Sequence, residues 1–398
     1  MVDDTEVAKV RGLCSAHEKE LIEFCRNLVR TPSVNGQNSE KEIALLLADQ
    51  AKKLDLPQRL IALEKDRPNV FVGEDFGGKN GLLFVAHLDT VPTGDESKWK
   101  HKPFGAEIEG GKLYGRGAID CKAGIALSLY TLKILSDLGK LKIAKFAAVV
   151  DEESGADSKL GARYLLDKGL NAQAAIYTYS GAETITIGHR GGVRLWIEAT
   201  GEAAHTGSKS WQNKEKGANA IEAIAQLVSL LPEIKMEGSH PLFPGYGFVL
   251  TPTLIEGGSG ESIVPDRAKV LIDARLLPNN DNAEYIGKVV ELTKKLETEK
   301  IKFRVSVKNN VPAVVISPNE KIVQVLKNLD EEVMGITPEV GGCGPWNEGY
   351  MFIGKGIPTI CGFGAEGDGA HSPDEYLKLD TLAKILEIYV RAALDLNL

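Results

Sequence analysis

The sequence contains no apolar run that approaches the roughly 20 residues a helix needs to cross a lipid bilayer. Its first residues, Met1-Val2-Asp3-Asp4, are acidic and lack the basic and then apolar layout of a secretory signal peptide. Basic side chains are also not in excess, because 47 Lys and Arg stand against 55 Asp and Glu, for a formal net charge of -8. We therefore expect a cytoplasmic protein that binds neither membrane nor nucleic acid.

Cysteine is scarce, with five in 398 residues. They are scattered, odd in number, and include no CxxC pair: Cys14, Cys25, Cys121, Cys343 and Cys361. This pattern argues against both a disulfide framework and a thiolate zinc site. We expect all five to be reduced thiols.

The remaining composition is that of an ordinary globular protein, with 43% hydrophobic and 26% charged residues. Segments with helical periodicity alternate with short apolar runs, which predicts an α/β fold. The run 81–86 is short and wholly apolar, and 145–150 is apolar after its first residue, as expected for buried strands. A chain of this length can form two domains.

The middle of the chain has a different pattern. Alternating strands are predicted at 193–199, 268–276 and 301–307, with helices near 218–231 and 282–299. This order suits a small antiparallel sheet with helices on one face. We therefore predict an inserted α+β domain at 191–309 within a larger α/β domain formed by 1–190 and 310–398.

Polar residues that could bind a metal follow the two predicted buried strands. His87 comes directly after the first, and Asp151-Glu152-Glu153 follows the second. The carboxyl ends of strands are where open α/β sheets build their sites. Asp89 could accept the second N–H of the His87 ring and fix its tautomer.

Two further candidates lie in loops, Asp120 before a predicted helix and His371 near the end of the chain. Each candidate alone has an ordinary explanation: His87 as a hydrogen-bonded core residue, Asp120 as a helix cap, and the acidic cluster as a solvated turn. Four such segments at loop positions together favour a metal site. Imidazole with carboxylate suits Zn²⁺ and related divalent ions.

Six segments, in this order and spacing, resemble the metallopeptidase family (M20-type) that includes acetylornithine deacetylase, succinyl-diaminopimelate desuccinylase, aminoacylases and glutamate carboxypeptidases. They are His87-Leu88-Asp89-Thr90-Val91-Pro92, Gly115-Arg116-Gly117 leading to Asp120, Asp151-Glu152-Glu153, Ala204-His205-Thr206-Gly207, Ile263-Val264-Pro265-Asp266 leading to Asp273-Ala274-Arg275, and Ala370-His371-Ser372-Pro373-Asp374-Glu375. The resemblance covers nearly the whole chain. It implies a zinc-exopeptidase-like catalytic domain with a mixed sheet, and an inserted domain that acts as a lid and forms a homodimer.

The resemblance also implies a metal centre of one or two Zn²⁺ ions, with Co²⁺ or Mn²⁺ as alternatives. His87 would bind the first metal and Asp120 would bridge both, with an unusual peptide at Asp120-Cys121. Glu153 and His371 would complete the second metal site.

Four catalytic and binding roles follow from the same resemblance. Glu152 would be the general base, Asp89 would orient His87, and His205 would stabilise the oxyanion, often from a partner subunit. Arg275 would bind a substrate carboxylate. From the residues alone, we favour a surface loop histidine as the explanation of His205, whereas for Arg275 a solvated charge is about as well supported as a binding role.

The sequence departs from the family pattern at the residue that should complete the first metal site. Tyr179 stands where the family has Asp or Glu, and a phenol with a reference pKa of about 10 is a poor ligand. Glu183, the nearest acid, lies four residues late. Tyr179 could bind as phenolate, another group could substitute, or the first site could be weak or empty, and we favour the last.

A second departure is Pro345-Trp346-Asn347-Glu348-Gly349-Tyr350, which replaces the family's commoner Thr-Asp stretch and its arginine. We predict a hydrolase that cleaves the amide bond of an N-acyl amino acid or short peptide. The alternatives are a dipeptidase or carboxypeptidase of the same family, and a catalytically impaired homologue that only binds ligands.

Overall fold

The computed structural model describes residues 3–155, 158–179 and 181–397. The chain divides into two compact units. The first comprises the residues up to Gly188, Val315–Gly342, and the residues from Asn347 onward. The second comprises His189–Val314 and Cys343–Trp346.

The helices of the described residues are α1 Asp4–Arg30, α2 Lys41–Lys53, α3 Ala123–Asp137, α4 Ala162–Asp167, α5 Lys209–Gln212, α6 Ala220–Leu230, α7 Asn282–Leu296, α8 Lys321–Val333, α9 Gly349–Gly354 and α10 Leu382–Leu396. None of these helices combines the length and the apolar character that crossing a membrane requires.

The strands up to the second unit are β1 Gln58–Ile61, β2 Asn69–Val72, β3 Leu82–His87, β4 Glu107–Glu109, β5 Lys112–Tyr114, β6 Ala144–Val149, β7 Ala174–Tyr177 and β8 Thr184–His189. They are followed by β9 Gly191–Thr200, β10 Ala204–His205, β11 Val249–Gly257, β12 Ile263–Val264, β13 Arg267–Leu276 and β14 Lys302–Val311. The last five are β15 Val314–Val315, β16 Glu339–Cys343, β17 Thr359–Ile360, β18 Gly367–Asp368 and β19 Tyr376–Lys378.

The first unit is built on a six-stranded mixed sheet in the order β1-β2-β6-β3-β7-β17. The strands β6, β3, β7 and β17 run parallel to one another, whereas β2 pairs antiparallel with both β6 and β1. Every residue of β3, β6 and β7 is buried, which explains why their side chains are apolar apart from Lys145 and the terminal His87. The predicted α/β class with a mixed sheet is therefore confirmed.

Helix α3 is the central covering helix of this sheet. It packs against β3 and β6 and also against α1 and α10. Its residues from Ala123 to Leu132 are all buried, as expected for a helix that is apolar around its whole circumference. Its first turn lies beside the end of β7, because a Cβ at Gly124 would come 2.1 Å from the carbonyl oxygen of Thr178.

The second unit contains a four-stranded antiparallel sheet in the order β11-β13-β9-β14. Helices α6 and α7 cover one face, and their apolar side chains share a buried core with alternate residues of β9 and β13. The predicted strands and helices of this region are present, but β11 was not predicted. Its Pro252 interrupts the alternating pattern and lies at a register shift against β13.

The second unit is wider than the predicted 191–309, since it also takes in His189–Gly191, residues up to Val314, and the segment Cys343–Trp346. The last segment belongs here because the Trp346 ring lies under two guanidinium groups of the sheet. The distances to the ring centre are 3.9 Å from Arg275 and 4.7 Å from Arg194. Such stacking is a favourable cation–π contact.

Candidate metal centre

The ends of β3 and β6 bring the first candidate ligands to one edge of the sheet. The two strands are parallel, with His87 opposite Val149, so the chain leaves both at the same side. Asp151, which follows β6, has a left-handed backbone with a φ of 70°. This turn, which Asp tolerates better than most residues, directs the chain into Glu152 and Glu153.

Asp89 holds these two strand ends together. Its buried carboxylate accepts the backbone N–H groups of Glu152 at 3.3 Å and Glu153 at 2.9 Å, and the Asn35 amide at 2.6 Å. Burial raises the pKa of Asp89 to about 6, although these donors and His87 favour its ionised form. Asp89 therefore fixes the backbone from which both glutamates project.

His87 is oriented differently from the prediction. Its Nδ1 lies 2.8 Å from the backbone carbonyl oxygen of Asp89, whereas the Asp89 carboxylate is 3.8 Å away. A carbonyl can only accept, so Nδ1 carries a proton; Nε2 faces the Asp120 carboxylate, which also only accepts, so either a second proton or a metal ion must lie between Nε2 and Asp120. The backbone of Asp89 thus fixes the tautomer, because its carboxylate is occupied by the donors described above.

Asp120 lies in a tight turn with a cis peptide bond to Cys121, as the family resemblance implied. The turn is held by Glu375, whose buried carboxylate accepts the backbone N–H groups of Gly117, Ile119 and Asp120 at 2.9 to 3.1 Å. Arg116 donates to the same carboxylate at 2.7 Å. We did not assign a role to Glu375 from the sequence, because about 255 residues separate it from the turn that it holds.

Asp120 contacts both candidate histidines, one with each carboxylate oxygen. Its Oδ1 is 2.8 Å from His87 Nε2, and its Oδ2 is 3.3 Å from His371 Nε2. His371 Nε2 is also 3.2 Å from Glu153 Oε1. The ligand atoms of Asp120, Glu153 and His371 all lie within 4.8 Å of one another, as do those of His87, Glu152 and Glu153.

The trio Asp120, Glu153 and His371 fits a divalent ion. Two ligand atoms that are each about 2.1 Å from a tetrahedral ion lie about 3.4 Å apart. The separations of 3.2 and 3.3 Å to His371 are close to this value. The 2.8 Å between His87 and Asp120 is instead an ordinary hydrogen-bond distance.

The electrostatics of the cluster also suit a cation. Contacts with Asp120 and Glu153 raise the pKa of His371 to about 10, so a proton occupies this position when no metal does. Burial opposes ionisation of Asp120, but hydrogen bonds from His371 and His87 outweigh it and hold the pKa of Asp120 below its usual range. Burial raises the pKa of Glu152 well above its usual value, and the charges of Glu153 and Glu348 add to this.

Residues 83–395 match the family model described as Peptidase family M20/M25/M40. The chain belongs to this family. Members are metal-dependent hydrolases of C–N bonds, so the predicted family and enzyme class are confirmed.

Two kinds of relative support the assignment to family M20. The succinyl-diaminopimelate desuccinylase of Nitratiruptor sp. is 25% identical over 330 residues, which cover 81% of this chain and 86% of the relative. The M20 family metallo-carboxypeptidase of Sulfolobus solfataricus has a similar fold, with a TM-score of 0.77 and 21% identity over 95% of this chain and 99% of the other. A Bacillus subtilis structure described as a dinuclear metal-binding peptidase gives a TM-score of 0.65, with 16% identity over 95% of this chain and 98% of the other.

Tyr179, the residue that departs from the M20 pattern, lies beside His87. Their ring centres are 6.4 Å apart and the rings meet edge to face. The Tyr179 hydroxyl accepts a hydrogen bond from the side-chain amide of Asn347 at 2.6 Å. The next residue, Glu348, is buried and accepts hydrogen bonds from the Tyr177 hydroxyl and from Ser158.

The stretch that departs from the family pattern at 345–350 thus binds the strand end that carries Tyr179. Burial raises the pKa of Glu348 to about 8, while the hydrogen bond from Tyr177 acts in the opposite direction. We did not predict any role for Asn347 or Glu348, because no local pattern relates them to residues 177 and 179.

The other two predicted site residues, His205 and Arg275, belong to the second unit. His205 is exposed, and its Nδ1 accepts the backbone N–H of Gly207 at 3.0 Å, so Nε2 carries the proton of the neutral ring. Arg275 Nε donates to Asp273 at 2.7 Å, and its guanidinium stacks on Trp346. The second unit therefore presents one imidazole N–H donor and one guanidinium that is already held in place.

Proposed function

We propose that this M20 protein hydrolyses the amide bond of an N-acyl amino acid or a short peptide with one Zn²⁺ ion held by Asp120, Glu153 and His371. The spacing of these three ligands around one point, beside the half-buried Glu152, carries the proposal. The N-acyl amino acid class is supported by the desuccinylase relatives, and the peptide class by the carboxypeptidase fold.

A single ion is supported by the charges of the ligands. Asp120 and Glu153 carry two negative charges, which balance one divalent cation. A second ion beside His87 would add two positive charges, where the chain offers the neutral phenol of Tyr179. Zn²⁺ is the ion that a set of imidazole and carboxylate ligands most often holds, with Co²⁺ and Mn²⁺ as the alternatives.

A divalent ion bound at these ligands would lower the pKa of water toward about 7 and so provide a nucleophile at neutral pH. Glu152 follows β6 next to the ligand Glu153, and desolvation raises the pKa of its half-buried carboxyl well above the usual value, so it binds a proton readily. It would take the proton of the attacking water and return it to the leaving amine nitrogen. Asp89 keeps Glu152 and Glu153 in place through their backbone N–H groups.

His205 and Arg275 have substrate-directed roles in this proposal. The protonated Nε2 of His205 would donate to the developing oxyanion, and Arg275 would bind the substrate carboxylate, as the family resemblance implies. The Asp273 carboxylate and the Trp346 ring hold the Arg275 guanidinium in a fixed orientation, which lowers the entropy cost of binding an anion.

We also propose that the second unit is the lid and dimerisation domain. Strand β11 is an edge of its sheet, and the side chains of Leu254 and Ile255 on it are 52% and 62% exposed. An edge strand with exposed apolar side chains is a surface on which a second copy can pair. Light scattering should give a homodimer, and a monomer would remove any role of His205 in a partner's site.

We also propose that the protein is located in the cytoplasm. All five cysteines are free thiols, and four of them are buried. Free thiols are the usual state in the reducing cytoplasm, where we place the protein.

The experiment that tests the function measures metal and turnover on the same preparation. Metal content of the undialysed protein is determined by plasma mass spectrometry, and hydrolysis is followed on N-acetyl and N-succinyl amino acids and on dipeptides. We expect about one zinc per chain and release of a free amino acid from at least one of these substrates. Bound metal without turnover of any of them would favour the catalytically impaired, ligand-binding alternative, which the tyrosine at position 179 supports.

A further inference from the structure

Tyr179 is held in a defined position beside His87. It follows β7, which pairs directly with β3, and its ring packs edge to face against the His87 ring at 6.4 Å. The aromatic ring also packs against the core of the first unit, together with Tyr177. Its hydroxyl therefore lies at the edge of the sheet from which His87 and Glu152 project.

The partner of this hydroxyl is an amide whose orientation is fixed. Asn347 Oδ1 accepts the backbone N–H of Gly349 at 2.8 Å, and Nδ2 donates to the backbone carbonyl of Cys361. Since the oxygen faces a donor and the nitrogen faces an acceptor, Nδ2 must be the atom that donates to Tyr179 at 2.6 Å. The phenol oxygen thus accepts from Asn347, and a hydroxyl that accepts one hydrogen bond keeps its own proton to donate in a second one.

The hydrogen bond from Asn347 also bears on whether Tyr179 can bind a metal ion. It engages a lone pair of the phenol oxygen, which is the group that a metal ion would use. Tyr179 is therefore better suited to donate a hydrogen bond than to bind a metal ion.

We propose that the Tyr179 hydroxyl, aligned by Asn347, donates a hydrogen bond to the carbonyl oxygen of the scissile amide as this oxygen becomes negatively charged. This inference rests on the proposed amide hydrolysis at a one-ion centre. A donor aimed at the developing oxyanion stabilises the transition state more than the bound substrate. Tyr179 thereby supplies charge stabilisation on the His87 side of the centre, where the chain lacks a carboxylate for a second ion.

The first test compares Tyr179→Phe with the wild type on a substrate that the wild type hydrolyses. We expect kcat to fall about 10²-fold with little change in KM, as for removal of one oxyanion donor. Tyr164→Phe is the control, because it removes a tyrosine hydroxyl that donates only to the Ala62 carbonyl at 3.3 Å, away from the centre. An unchanged kcat in Tyr179→Phe would overturn the proposal.

Asn347 acts through Tyr179 as a positioning residue, which a double-mutant cycle can test. Asn347→Ala should lower kcat, but Asn347→Ala combined with Tyr179→Phe should be no slower than Tyr179→Phe alone. If the two substitutions lower kcat by factors that multiply in the double variant, the Asn347 amide does not act through the Tyr179 hydroxyl.

The second test counts metal ions and needs no turnover. Titration of metal-free protein with Co²⁺, followed by visible absorption, should give one ion per chain in the wild type and in Tyr179→Phe. Tyr179→Asp should bind a second ion, since it restores a carboxylate. Two ions in the wild type, or a phenolate charge-transfer band in the Cu²⁺ form that Tyr179→Phe abolishes, would show that Tyr179 is a ligand.

The third test separates failure of this inference from failure of the proposed function. Inorganic phosphate is a tetrahedral anion like the reaction intermediate, and its Kd for the Co²⁺ form can be measured by calorimetry. Tyr179→Phe should weaken phosphate binding about tenfold, and Tyr164→Phe should not. If the wild type hydrolyses no amide, the proposed function fails, but phosphate binding still decides whether Tyr179 is a hydrogen-bond donor. An unchanged Kd for phosphate in Tyr179→Phe would overturn the Tyr179 proposal.

Discussion

The metal centre has two halves that share Asp120: the complete half, with Glu153 and His371, and the altered half, with His87 and Tyr179. On one side, Glu153 and His371 complete a set of ligands at separations that suit an ion, and more than half of the His371 side chain is exposed. On the other side, buried His87 lies at hydrogen-bond distance from Asp120, and its neighbour is the phenol of Tyr179. In both halves a proton or a metal ion can lie between the histidine and Asp120, so the halves differ mainly in the side chain that completes each set, the Glu153 carboxylate in the first and the Tyr179 phenol in the second.

Under the proposed one-ion assignment, one half of the family's metal site is kept and the other half is rebuilt. Replacing a carboxylate by a phenol removes a negative charge, and the neighbouring segment then has to hold a neutral hydroxyl. Asn347 does so with an amide donor, while Glu348 binds the hydroxyl of Tyr177 on the same strand. The departures at 179 and at 345–350 are therefore parts of one local structure.

The largest effect is expected from Glu152→Gln, which keeps the shape of the side chain but removes its ability to take a proton. We expect kcat to fall about 10³-fold or more, with metal content unchanged, because a general base contributes factors of this order. Glu183→Gln is the matched control, since it makes the same change at an exposed acid outside the cluster. Activity of Glu152→Gln near that of the wild type would remove the base assignment.

A direct comparison of the two halves uses His371→Ala and His87→Ala. His371→Ala removes one of three ligands from the complete half, and we expect Zn²⁺ affinity to fall about 10²-fold or more. His87→Ala should retain about one zinc per chain. Plasma mass spectrometry after gel filtration checks both variants, and equal loss of metal from the two would mean that both histidines hold the same ion.

The sequence predicted most of the fold because the buried strands leave strong local patterns. Strands β3 and β6 were predicted within one residue of their observed bounds, since strands buried on both faces are wholly apolar. Strand β11 was missed because an edge strand needs no continuous ladder and so tolerates Pro252. Local pattern therefore predicts the interior of a sheet better than its edge.

The ligands were recognisable from the sequence, but the residues that hold them were not. His87, Glu152 and His371 lie in short motifs whose chemistry is evident from residue type. Glu375 and Asn347 act through contacts that span 255 and 168 residues, and nothing near them in the sequence indicates these partners. Such supporting residues become visible only when the fold brings them to the site.

Glu375→Gln tests whether both halves depend on the shared turn of Asp120. The change leaves Arg116 buried without its charged partner, which we expect to cost about 3 kcal/mol of unfolding free energy. Chemical denaturation of the metal-free variant measures this loss, and Glu331→Gln on the exposed face of α8 is the control. A stable Glu375→Gln variant with normal metal content would show that the turn holds its shape without this carboxylate.

The smallest step is a roughly tenfold change in Zn²⁺ affinity per pH unit, and it distinguishes the complete half as the site of the ion. A metal must displace the proton that Asp120 and Glu153 hold on His371, whose pKa they raise to about 10. Zn²⁺ affinity should therefore rise about tenfold per pH unit between pH 6 and 9 and level off above pH 10. In the metal-free protein the same contacts stabilise the fold fully below about pH 6.5, and this contribution is lost as the pH rises through 10.

Competition with a chelating dye at several pH values measures this slope. His371→Ala should bind weakly with a shallower slope, because the proton that competes with the metal is gone, while His87→Ala should keep the slope of the wild type. If His87→Ala instead flattened the curve, the ion would lie on the side of His87 and Tyr179, and the assignment of the two halves would have to be exchanged.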